Sequence, residues 1–265
     1  MYLFKTFSKF SFILILLFSC TNEWEKAYFD ICDKPEDILF NDEQVIITNS
    51  GINQGNVTVV SSVDTVVMQN ALIHNPKGLA LFKNDILGVS DSFIFRCNVE
   101  DQELQIIDTI SGSSGLNDIA VYNEIIAISD LVGNKVYIKM PSAPLITLDI
   151  NKPNGLLFLK EGELIIGTFN KSNSDLIFYN LFDRKEHRIS VPFSVDGLDL
   201  VNGQLLVGSY NGALYKLELR NKRDLVLLSK KRAYNFCDLT VNENKVYVPS
   251  NNQNEILVYT FSESI

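Results

Sequence analysis

Six residues, one from each of six evenly spaced phrases, have types that could do chemistry together: Glu36, Lys77, Asn117, Asn154, Asp196 and Cys237. They stand 41, 40, 37, 42 and 41 residues apart. Two carboxylates and two amides brought to one axis would supply the oxygen ligands of a hard cation such as calcium. Lys77 would either repel that cation or pair with one acid and turn away. His74, three residues before Lys77, could act as a general base at the same mouth.

The segments that follow these residues must position them. Each of the six immediately precedes a small or acidic residue that opens an apolar run: Asp37, Gly78, Asp118, Gly155, Gly197 and Asp238. The clearest copy is KPNGLLFLKEGELIIGT at residues 152–168. A fixed period near forty residues marks a repeat architecture with one supersecondary unit per copy. Every copy has the same plan. A short apolar strand is followed by a turn built from Asn, Asp or Gly, types that tolerate the positive φ of tight hairpins. A second strand, a polar loop, a third alternating strand and, in five copies, a weaker fourth come next. No stretch keeps a helical period. Four antiparallel strands repeated radially form the blade of a β-propeller, so the fold class is all-β and six-bladed. The ring, expected over residues 34–265, buries each blade against its neighbours. The last copy has no room for a fourth strand. Residues 24–31, WEKAYFDI, are expected to supply it and so join the two ends of the chain.

Two phrases resemble a known family. Pro153-Asn154-Gly155-Leu156 and Val195-Asp196-Gly197-Leu198 are similar to motifs of the gluconolactonase and regucalcin family, six-bladed propellers with a channel metal. More distantly they resemble paraoxonase-type lactonases, within an NHL-like superfamily of propellers. The resemblance implies Glu36, Asn154 and Asp196 as ligands of a calcium ion and Asn117 on the substrate side. It also implies metal-assisted hydrolysis of a lactone or ester, with Asp196 as ligand and base. Two departures are visible. Gly115 stands where the family's R-x-N-D phrase has Arg, and Glu36 is followed by Asp37-Ile38 rather than Gly-Pro.

The start of the chain, MYLFKTFSKFSFILILLFSC, has a basic n-region and an apolar run at 10–18, which marks residues 1–19 as a secretory leader. Leu17-Phe18-Ser19-Cys20 resembles a bacterial lipobox, which implies lipidation of Cys20. The expected product is a lipid-anchored protein of the cell envelope, with residues 20–33 as lipidated Cys, linker and closing strand. Several acyl chains hold firmly where one would be marginal. Of the remaining cysteines, Cys32, Cys97 and Cys237, an odd number leaves at least one free.

Loss of Lys5 and Lys9 with the leader takes the net charge from −9 to −11. Such a chain repels phosphate backbones, so nucleic acid is excluded as an expected partner. One segment, residues 220–232, is basic. No nucleophile elbow, phosphate loop or zinc spacing occurs. The reading is a monomeric, membrane-anchored propeller that binds a protein or a small molecule at its channel mouth. The alternative is a calcium-dependent lactonase or esterase on the same ring.

Overall fold

The structure, a computed structural model, describes residues 24–52, 54–220 and 224–261. The leader, Cys20 and the 21–23 linker lie outside the described residues. Six four-stranded antiparallel sheets form the blades of a six-bladed β-propeller. In sequence order five of them occupy residues 35–68, 76–109, 116–149, 153–191 and 195–230. The sixth combines Thr240–Asn242, Lys245–Ser250 and Glu255–Thr260 with Trp24–Ala27, the last of these as its outermost strand. Trp24 pairs with Tyr259 and Ala27 with Ile256. The ring thus closes through both ends of the chain, as expected.

The closing strand is shorter than residues 24–31. It stops at Ala27 because Tyr28 takes a left-handed conformation (φ 54°), and Phe29–Ile31 forms a 3₁₀ turn. Lys34 is left-handed as well (φ 53°). Together they swing the chain from the rim of blade six to the inner strand of blade one, a reversal that a continued strand cannot make.

The core lies between blades. Five interfaces each hold nine to thirteen buried apolar residues. The seam between blades six and one holds three: Ile38, Ile47 and Ile256. Burial there is small, so polar links carry more of the closure. Thr240 Oγ1 donates to the Ile38 carbonyl at 2.6 Å, and the Lys34 amide donates to Asn254 Oδ1 at 3.0 Å.

One irregularity recurs and sets up the site. The inner strands of blades one to five each break register one to three residues after they start. In blade two, Pro76 faces Ser90 and Leu79 faces Gly88, so Lys77 and Gly78 together oppose Val89. A bulge of this kind bends the strand and re-aims a side chain. In these five blades the residue ahead of the small or acidic one that opens the apolar run therefore leaves the alternation of the sheet. Gly155 is required here, because a Cβ on it would lie 2.1 Å from the Asp196 carbonyl oxygen of the next blade.

Candidate functional site at the channel mouth

The six inner strands begin at one end of the channel; the bulges of blades one to five bring Glu36, Lys77, Asn117, Asn154 and Asp196, and the segment before the inner strand of blade six brings Cys237, around a single cavity of about 170 Å³. All six residues spaced through the sequence line it. His74 is exposed in the loop before blade two, and it is not among the residues that line the cavity. Lys77 Nζ lies 2.7 Å from Glu36 Oε1, with side-chain exposures of 19% and 13%. The ammonium therefore points into the ring and is held by the acid of blade one. Asn117 Nδ2 donates to Asn154 Oδ1, and Asn154 Nδ2 donates to the Val195 carbonyl at 3.3 Å. The chain of amides fixes Asn154 beside Asp196.

Burial, reinforced by the charge of Glu36, pushes the Asp196 carboxyl up to about 8, against the opposing pull of Lys77 and Asn154. Asp196 therefore holds its proton at neutral pH and can donate a hydrogen bond. Burial also raises the Cys237 thiol well above its usual range, with Glu36 and Asp196 adding to the effect. A thiol so placed is not a thiolate nucleophile. Cys32, Cys97 and Cys237 are all free.

Four further residues form the upper wall, and the sequence reading did not reach them. Leu131, Phe169, Tyr210 and Asn251 each directly follow the second strand of blades three, four, five and six. Phe169 and Tyr210 meet edge to face at 5.1 Å, and Asn235 Nδ2 donates to the Tyr210 hydroxyl at 2.9 Å. Counting to that position in each repeat would have found them. The mouth is thus two-sided, with an apolar wall on blades three to five and the ion pair on blades one and two.

Below the ring lies an acidic floor. Asp37, Asp118 and Asp238 each bring a carboxylate oxygen within 4.8 Å of the others. Two of them also link blades. Asp37 accepts from its neighbour Ile38 N at 2.6 Å and from Leu79 N of blade two at 2.5 Å. Asp118 accepts from Ile119 N and from Leu156 N of blade four, both at 2.6 Å. Asp199 repeats the pattern between blades five and six through Leu200 N and Val241 N. Each odd blade is thereby latched to the even blade after it. Burial raises Asp37 and Asp238 well above the carboxylate range, with the charge of Asp118 adding to it, and burial takes Asp118 and Asp199 up to about 6.

Two sets of residues could hold a cation. In the upper set, Glu36, Asn154 and Asp196, the Lys77 ammonium already stands against Glu36 where a divalent ion would need that carboxylate. The upper set therefore does not fit a resident calcium ion while Lys77 holds this position. The floor has the donors for a cation, but in Asp37 and Asp118 both oxygens also accept from backbone amides.

No family model matches the sequence, and no curated protein matches it. Solved structures do. A luciferin-regenerating enzyme matches at TM-score 0.71 and 10% identity, over 91% of this chain and 95% of that one. A chain of a nidogen/laminin complex matches at TM-score 0.69 and 14% identity, over 80% and 89%. Virginiamycin B lyase from Staphylococcus aureus matches at TM-score 0.65 and 12% identity, over 91% and 89%. These similarities establish the propeller. Its neighbours include both binding modules and enzymes, so the fold does not choose between them.

Proposed function

We propose that this chain is a membrane-tethered, extracytoplasmic binding module whose channel mouth takes a small polar ligand. The observation that carries the proposal is the ion pair of Lys77 and Glu36 at 2.7 Å, inside the ring of polar residues. An internal ammonium stands in for the divalent cation that metal-assisted hydrolysis would require there. Asp196, neutral at physiological pH, is a hydrogen-bond donor rather than a general base. A cavity of about 170 Å³ is smaller than the ~300–1,000 Å³ that drug-sized ligands occupy. It suits a small molecule, with its polar groups toward Lys77, Asn117 and Asp196 and an apolar edge toward Phe169 and Tyr210. The leader and Cys20 support the tether and the cell-envelope location.

The second reading, a calcium-dependent lactonase or esterase, draws on the convergence of Glu36, Asn154 and Asp196 on one cavity. It requires Lys77 to release Glu36. A thermal-shift screen of small polar molecules separates the two. Ligands that raise the melting temperature should lose their effect in Asp196→Asn and Phe169→Ala. Absence of any such ligand, together with calcium-dependent turnover of a lactone, would overturn the proposal.

A further inference from the structure

We propose that the outer strand of blade five docks edge-on to the anionic phospholipid surface of the membrane that holds the tether. The choice of occupant rests on the tether reading above. The strand, Leu225–Lys230, pairs on one side with Ala213–Glu218, and among the described residues its other edge carries no strand. Val226 and Leu227 are 46% and 51% exposed along it. Arg220 is exposed just before it, and Lys230 and Arg232 are exposed at its far end. Lys231 lies over the Tyr234 ring at 5.4 Å. This is a concentration of cations on a chain whose net charge is −9. Exposed acids next to these residues in the chain include Asp224, beside Leu225, and Glu25, beside Trp24, while Glu255 is buried against Lys26.

The position of this strand decides the partner. Trp24 Nε1 donates to Ser229 Oγ at 2.8 Å, and Trp24, Leu228 and Tyr234 pack against the same buried cluster. The start of the first described strand is therefore tied to the basic strand through Trp24. Only three residues separate Cys20 from Trp24. Fully extended, that span is at most about 14 Å. A lipid anchor at Cys20 would hold this rim, rather than any other, at the bilayer surface. Each Lys or Arg near an anionic surface contributes about 1 kcal/mol, roughly a fivefold gain in partition. The orientation lays the propeller on its side and leaves the channel mouth open to solution.

The test uses leaderless protein carrying Cys20→Ser, which has no acyl chains. It is sedimented with phosphatidylglycerol–phosphatidylethanolamine vesicles and with phosphatidylcholine vesicles, at low and high salt. Binding to the anionic vesicles is expected, with loss at high salt. The variant Lys230→Glu/Lys231→Glu/Arg232→Glu should bind roughly 100-fold more weakly. A reversal on the mouth-side loops of blade four, Lys152→Glu/Lys171→Glu, should bind as the parent does, which excludes a general charge effect. Equal binding to both vesicle types, no binding, or no loss in the triple variant would overturn the proposal. So would equal retention by a DNA oligonucleotide, which would make the patch a general polyanion site. Detergent-phase partition of the full chain against Cys20→Ser tests the tether separately, so failure of the anchor and failure of the docking surface are told apart.

Discussion

Lys77 Nζ and Glu36 Oε1 meet at 2.7 Å across the boundary between blades two and one. Both residues stand at the bulges that open their inner strands, so the contact follows from a repeated backbone device and two side-chain choices. It places a positive charge in a ring whose other polar members include Asn117, Asn154 and Asp196. That charge opposes the burial and the Glu36 carboxylate that together raise the Asp196 carboxyl.

Asp196 should make the protein less stable as pH rises. Its carboxyl titrates near 8 in the folded chain and near 3.9 when unfolded. Between those values the folded state keeps a proton that the unfolded state has lost, so unfolding free energy falls with rising pH. Asp196→Asn is neutral in both states and removes this contribution. Urea unfolding of both proteins at pH values from about 5 to about 8 should show the mutant gaining relative to the parent toward the alkaline end. A constant difference would rule out a neutral Asp196.

Asp118 should matter through the backbone. Asp118→Ala strips acceptors from Ile119 N and Leu156 N. Each orphaned buried donor costs about 1–3 kcal/mol, so a loss of at least about 2 kcal/mol is expected. Asp118→Asn keeps one acceptor and should lose less. Chemical denaturation reads both, and a silent Asp118→Ala would refute the latch between blades three and four.

Much of this architecture is legible in the residues. The period near forty, the hairpin turns and the missing fourth strand of the last copy lead to six blades closed by residues near Trp24. The six mouth residues were legible because each holds the same place in its repeat. The latches were not, because Asp37, Asp118 and Asp199 bond amides 38–42 residues away in the next blade. Nor was the end of the closing strand at Ala27, since a left-handed Tyr28 is unusual for a residue with a Cβ. The pairing of Lys77 with Glu36 was one of two open outcomes, and only the fold sets the distance.

Blade six, joined to blade one by a small apolar seam and to blade five through Trp24, should open first. The seam is the smallest apolar interface, and Trp24 reinforces the last blade through Phe236 and Tyr259, with ring centroids at 5.1 and 5.2 Å. Trp24→Ala should cost about 2–3 kcal/mol, less than a fully buried Trp because Trp24 is half-buried. Hydrogen exchange in that variant should quicken first in Glu255–Thr260. Uniform quickening around the ring would contradict a weak seam.

Gly155→Ala should disturb the mouth as well as the fold. Its Cβ would meet the Asp196 carbonyl oxygen at 2.1 Å, a backbone atom that cannot swing aside. Overpacking of this kind costs about 1–3 kcal/mol. Loss of ligand binding beyond what the fall in stability explains is the expected result, read by titrating any ligand found in the screen.

The most direct measurement is the calcium dependence of the melting temperature in the parent protein, Lys77→Met and Asp196→Asn. The parent should show no calcium shift that depends on Asp196. Lys77→Met frees Glu36 and should gain one, since a site filled at about a hundredfold over its Kd adds about 2.7 kcal/mol, and adding Asp196→Asn should abolish that gain. A calcium-induced rise in the parent that disappears in Asp196→Asn would show that a divalent ion, and not Lys77, holds the ring.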